Sequence, residues 1–312
     1  MSLHVVAITG GASGIGLELA RRIAPTHRVA LVDINLEQAQ QAAAQLGPDA
    51  IAVWCDITKQ ESVSAAVATV VERFGGIDVA VSNAGIGTVG AARHLDPGVL
   101  AAQLDVNVTG NWRFMHACLP HLVDSRGYLL GIASAAAITS PPSEAFYSAS
   151  KAGLEALLNV VRVEVAHLGV AVGIGYLMFI DTPMVREGDR QHSDLATLRA
   201  MLPGPAGKTF PVSLAADRLA KGVRRRANRI FVPSSLRWQY YLRGFLSPVT
   251  DRSFAKIARQ VDQLTLAKVN EKGALAAAFN YGLVPDSPQI AAAPVFESGA
   301  TTKHSATNSQ IE

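Results

Sequence analysis

Six short apolar runs recur through the first 180 residues, and they restrict the fold more than any other feature. They are HVVAIT (4–9), RVALVD (28–33), IAVWCD (51–56), DVAVS (78–82), GYLLGIAS (127–134) and VAVGIGYLM (170–178). Most do not alternate with polar residues, which is how strands covered on both faces of a parallel sheet read. Between them lie helix-like segments such as LEQAQQAAAQLG (36–47) and ESVSAAVATVVERFG (61–75). A parallel neighbour needs a long crossover, and a helix supplies it. A further helical pattern (213–227) and a seventh run, RIFVP (229–233), complete the series. The expectation is an α/β chain: a doubly wound, seven-stranded, mostly parallel sheet with helices on both faces.

The 312 residues fit one large domain with an appendage. With 49% hydrophobic and 17% charged residues the chain can bury a sizeable core. We expect a main domain over 1–235, an amphipathic helical extension over 236–284 and a disordered tail over 285–312, rich in Ser, Thr, Ala and Pro. Residues 183–211 carry few strand signals and follow the sixth strand, so they read as a lid over a cleft. Cys55 and Cys118 are far apart and the eight histidines are scattered, so neither a disulfide framework nor a metal site is expected. The N-terminus has no basic region before its apolar run, and no uncharged stretch is long enough to span a bilayer. A soluble, cytoplasmic protein is expected, at most peripheral to a membrane. The net charge of +3 hides an asymmetry: residues 224–272 hold eleven Lys/Arg and three Asp/Glu.

Directly after the first strand comes TGGASGIG (9–16), and then the helix LELARRIA. Gly10, Gly14 and Gly16 let the backbone turn tightly and approach a pyrophosphate resting on the helix N-terminus. A tight strand-to-helix turn needs glycine anyway, but here a second strand follows and ends in an acid, Asp33. That carboxylate is placed to accept hydrogen bonds from adenosine ribose hydroxyls; the plainer alternative is a solvated strand-end aspartate. A carboxylate there repels a 2′-phosphate, which favours NAD over NADP.

Residues 147–151 read YSASK. On a helix, Tyr147 and Lys151 share a face one turn apart. A phenol with an ordinary pKa of about 10 becomes a usable proton donor and acceptor if a cation stays close. Alone, this spacing also arises by chance.

TGGASGIG, SNAG (82–85), Asn107 in VNVTG, Ser134 in GIAS and YSASK occur together in this order. As a set they resemble the short-chain dehydrogenase/reductase family, in its single-domain branch, over residues 3 to about 235. The resemblance implies roles. Tyr147 would be the general acid/base, Lys151 would lower its pKa and bind the nicotinamide ribose, and Ser134 would bond the substrate oxygen. Asn107 would hold a water in a proton relay. Ser13 and Ile15 of the loop would join its glycines around NAD. Asp56 and Ile57 would meet the adenine, and Asn83, Ala84 and Gly85 would wall the adenosine ribose. Thr182 and the backbone near Ile180 would hold the carboxamide. Family members usually form homodimers or homotetramers through the helices after strands four and five.

One stretch departs from the family pattern. Leu177-Met178 stands where Pro-Gly is usual, in GYLMFIDTPM (175–184). Two apolar side chains replace a fixed turn beside the ring, which reads as a reshaped apolar wall or as a weakened site. Ala135, Ala136, Ala137 and Ile138, after Ser134, suggest a hydrophobic alcohol or ketone, lipid-, retinoid- or steroid-like. In the extension, arginines interleave with Trp238, Tyr240, Tyr241, Phe245 and Leu246. Such a helix packs on its own subunit or across a dimer, or lies on an anionic membrane. No nucleic-acid motif accompanies the charge. The expected activity is NAD-dependent interconversion of a hydrophobic secondary alcohol and its ketone. Rivals are a 3-oxoacyl thioester reductase, a non-catalytic dinucleotide sensor and a membrane-surface scaffold.

Overall fold

The computed structural model describes residues 4–191, 197, 199–200, 202, 207–273 and 279–281. Seven strands form one parallel sheet: β1 (His4–Thr9), β2 (His27–Asp33), β3 (Ala50–Trp54), β4 (Val79–Ser82), β6 (Tyr128–Ile132), β7 (Ala171–Leu177) and β10 (Arg229–Val232). Across the sheet they run β3-β2-β1-β4-β6-β7-β10, so the order reverses beside β1. That reversal opens a crevice at the carboxyl ends of β1 and β4, where ligands bind in sheets of this kind. Each strand lies within a residue or two of the run that predicted it. Three short strands, β5 (Gly87–Val89), β8 (Ile180–Asp181) and β9 (Phe210–Pro211), stand outside the sheet.

Successive strand residues point to opposite faces, and the core divides accordingly. Val5 and Ala7 of β1 pack with α3 (Gln60–Phe74), α5 (Asn111–Asp124) and α6 (Ala145–Glu164), through residues such as Val67, Phe114 and Leu158. Val6 and Ile8 pack with α1 (Gly14–Ile23), α2 (Leu36–Leu46) and the helix Val212–Arg225, through Leu19, Ala39 and Leu219. Each fully buried Leu, Ile or Phe contributes about 1.5–3 kcal/mol, and the sheet stays flanked on both sides. Small residues fit the strands to their neighbours: a Cβ on Gly131 would strike Leu158, and one on Gly173 would strike Tyr128.

Helix ends follow local chemistry. Asn35 caps α2 by accepting from the Gln38 amide at 3.0 Å. Asp96 caps α4 (Pro97–Leu104) by accepting from the Gly98 amide at 2.7 Å. Gly75 closes α3 in a left-handed conformation (φ +90°).

After α6, the helices are α7 (Pro183–Gln191), α8 (Val212–Arg225) and α9 (Leu236–Lys272). Helix α9 covers much of the predicted extension. Its first turns dock on the sheet edge through Tyr240, whose ring tilts against Tyr176 and Phe231, with the Arg229 and Arg243 guanidinium groups each 5.1 Å from its centre. Farther along, Phe254, Ile257, Val261 and Thr265 recur at helical spacing and are buried. They face the 86–95 segment, where the Ala91 amide donates to Thr265 Oγ1 (2.8 Å) and Arg93 forks onto Asp262 (2.5 and 2.6 Å). A last strand, β11 (Phe279–Tyr281), pairs antiparallel with β5. The other side of the first turns is open: Trp238, Tyr241, Leu242 and Phe245 are exposed. The predicted tail over 285–312 and much of the lid between 192 and 206 lie outside the described residues.

Candidate active site

A cleft of about 460 Å³ follows the crevice from the glycine loop to α9. Gly10 (φ +61°) and Gly14 (φ +53°) hold left-handed backbone that other residues rarely adopt. Gly16 does not line the cleft; a Cβ there would strike the Gly10 carbonyl and approach Asn83 Nδ2 to 2.8 Å. Asn83 clamps the loop, since its Nδ2 donates to the carbonyls of Thr9 (2.9 Å) and Gly10 (3.2 Å). Ser13 precedes α1 in extended conformation without capping it, so the first-turn amides keep their donors. Ser13, Gly14 and Ile15 line the cleft, with Thr182 opposite, 3.5 Å from where a Gly14 Cβ would sit.

Two acids line the same end. Asp33 accepts from the Ala12 amide and the Asn35 amide, both at 3.0 Å, and each oxygen keeps a lone pair for a ligand. Asp56 uses one oxygen for the amide (2.9 Å) and hydroxyl (2.7 Å) of Thr58. Its other oxygen has no partner among the described residues. Ile57, Asn83, Ala84 and Gly85 line the cleft beside it, and Ile180 lies at the far wall. A glycine cradle, an uncapped helix and two strand-end carboxylates fit a dinucleotide.

Tyr147 and Lys151 rise from the first turns of α6 into the middle of the cleft, with Ser134 at the end of β6. The Lys151 Nζ lies 5.7 Å from the Tyr147 ring centre and donates to the Ile132 carbonyl at 3.0 Å. Burial pulls its pKa down to about 8. Burial pushes the Tyr147 phenol up to about 12, hydrogen bonding by Ser134 pulls it down, and Glu144 pushes it up. Desolvation of the phenolate is the largest of these effects in the chain alone. Ser134 Oγ accepts from the Ala136 amide at 3.1 Å, so the serine also caps its own turn.

Asn107 sits behind the wall, fully buried, in a π-helical turn over Asp105–Gly110. Its Oδ1 accepts from the Ile86 amide (2.9 Å), and its Nδ2 donates to the Ile86 carbonyl (2.8 Å) and Ser150 Oγ (2.9 Å). It braces the segment after Gly85 against α6. Sequence reasoning passed over its partner, Asn111, whose Nδ2 donates to the Ala84, Val106 and Asn107 carbonyls at 3.0–3.1 Å. The signal was present in the four-residue spacing of the two asparagines.

The remaining cleft is mostly apolar. Ala135 and Ala136 line it, whereas Ala137 and Ile138 do not. Leu177, Met178, Phe179, Met184 and Val185 form one side, and Val89 and Pro141 another. Gln239 and Phe254 of α9 also reach it, so the extension helps to build the site. Glu144, another residue missed from sequence, is buried here, and burial pushes its carboxyl up to about 7.

A family profile described as "short chain dehydrogenase" matches residues 4–193. An uncharacterised oxidoreductase of Mycobacterium bovis is 35% identical over 176 residues, covering 55% of this chain and 71% of its own. The 3-ketoacyl-(acyl-carrier-protein) reductase of Brucella melitensis, solved with NADH, superposes with a TM-score of 0.66 at 26% identity, over 74% of this chain and 97% of its own. A point variant of the actinorhodin polyketide ketoreductase, solved with NADPH, gives 0.68 at 28% identity over the same shares. About a quarter of this chain lies outside either structural match.

Proposed function

The chain belongs to the short-chain dehydrogenase family, and on that premise we propose that it interconverts a hydrophobic secondary alcohol and its ketone with NAD. One observation carries the reading: Ser134, Tyr147 and Lys151 share a single cleft with the glycine loop. When bound, the nicotinamide supplies the hydride acceptor, or in reverse the donor. Tyr147 takes the hydroxyl proton as the C–H bond breaks and returns it in the reverse direction. Ser134 donates to the substrate oxygen as charge develops on it. Lys151 holds the cofactor ribose and offsets the charge of the phenolate that takes the proton, or that is left when the proton is returned. The apolar walls, including Leu177 and Met178, favour a hydrophobic substrate.

NAD is preferred because Asp33 lines the ribose end and Lys151 is the one cation among the described residues lining the cleft. Nothing there would balance a 2′-phosphate. The test follows reduced-nicotinamide absorbance with NAD or NADP and a panel of hydrophobic secondary alcohols. The wild type should reduce NAD. Tyr147→Phe should lose at least about 10³-fold in turnover while NADH still binds by fluorescence. Turnover by the variant at the wild-type rate would sink the assignment. The ketoacyl reductase similarity supports a second reading, a 3-oxoacyl thioester reductase, separated by assay with such a thioester and NADPH.

The reading extends to the assembly: a homodimer or tetramer paired through α5 and α6, and a peripheral anionic-membrane contact through the open side of α9.

A further inference from the structure

Glu144 is an expensive residue to leave where it stands. It is 8% exposed, precedes α6 without capping it, and has no hydrogen bond or ion pair to its carboxyl among the described residues. Its oxygens are not among the fully sealed, unpartnered side-chain atoms of the described residues, so they keep access to the cleft, where solvent or a ligand has to satisfy them. Glu144 lines both the cleft and a small second pocket, and its carboxyl lies close enough to the Tyr147 phenol to act on it, so the residue borders the space a substrate would fill. The cation lining that second pocket, Arg199, is already bound to Asp189 at 3.0 and 2.5 Å. Around Glu144 the walls are apolar: Val89, Pro141, Phe179 and Leu202. Such walls cannot tell one hydrocarbon from another of similar size, whereas a buried carboxyl can select strongly.

Resting on the proposed dehydrogenase reading, we propose that Glu144 recognises a hydroxyl on the substrate, so that the substrate is a hydroxy-ketone, or the corresponding diol, on an otherwise apolar skeleton. The chemistry favours a neutral donor over an ammonium group, because Lys151 already places a cation in the cleft. Glu144 lies three residues before Tyr147, so the recognised hydroxyl belongs within about one helical turn, ~5 Å, of the reacting carbon. A carboxyl or carboxylate accepts from that hydroxyl in either protonation state.

The test compares 2-decanone with three of its monohydroxy derivatives, the hydroxyl placed progressively farther from the carbonyl. Binding is read by calorimetry on wild type, Glu144→Gln and Glu144→Leu in the presence of NAD, which cannot reduce a ketone. Reduction is then read with NADH. One hydroxy-ketone should bind wild type about 10- to 100-fold more tightly than 2-decanone. Glu144→Gln should keep part of that preference, and Glu144→Leu should abolish it while binding 2-decanone at least as well as wild type. Equal binding of all four ketones by wild type, no binding of any, or a preference surviving in Glu144→Leu would overturn the proposal. If the preference appears but NADH reduces none of the ketones, the dehydrogenase reading fails and recognition by Glu144 stands.

Discussion

Glu144 also shapes how stability depends on pH. Its folded pKa, about 7, lies above the ordinary value of 4.5, so the folded state holds a proton that the unfolded state has lost between those pH values. Stability therefore falls as pH rises through that window and levels off above about 7. Glu144→Gln removes the dependence. It should match wild type near pH 5 and be more stable near pH 8, by up to about 3 kcal/mol. Denaturant midpoints at the two pH values check this, and an equal gap at both would refute it. Lys151 acts in a different window: its pKa is lowered to about 8, so the cost of burying its charge is relieved only above that pH. At this scale the sequence was uneven. Gly10, Asp33, Ser134, Tyr147 and Lys151 announce themselves through spacing. Glu144 does not, because an acid just before a helix is ordinarily solvated, and residues distant in sequence such as Val89 and Phe179 help to enclose it.

Among the elements, the seven main strands were legible because apolar runs covered on both faces have little else to become. The short strands β5 and β11 were not, since three residues carry no period of their own and exist through their pairing. The extension was legible as a helix, but its docking on the 86–95 segment depends on side chains about 170 positions apart, such as Arg93 and Asp262. Val261, 2% exposed, sits in the middle of that contact. Val261→Asp would bury a charge without a partner and should release the helix. Limited trypsin digestion should then cut within 237–272 at least about tenfold faster, because local opening sets the rate. NADH affinity should stay within about twofold, since the glycine loop makes no part of this contact. Unchanged digestion would show that the helix is held elsewhere.

For the whole molecule, two surfaces remain without partners among the described residues. Trp238, Tyr241, Leu242 and Phe245 recur at i, i+3, i+4 and i+7 on α9, and Phe245 is 84% exposed. With arginines nearby, this stripe should carry the protein onto vesicles containing phosphatidylserine. Co-sedimentation should fall at least about fivefold in Phe245→Glu and in high salt; binding unaffected by either would remove the membrane from the account. Among the described residues no helix is long and apolar enough to cross a bilayer. On α6, Val160 and Val163 are 57% and 73% exposed on the helix expected to pair subunits. Val163→Glu should shift sedimentation toward the monomer, and a wild type already monomeric at micromolar concentration would refute the pairing.

The return of the chain to the cleft has a consequence in time. The glycine loop, both acids, Ser134, Tyr147 and Lys151 all precede residue 152, whereas Gln239 and Phe254 come much later. At about 5–20 residues per second, a ribosome delivers the residues that close the substrate end several seconds after Lys151. The residues that set what enters the cleft are thus among the last of its lining to be made.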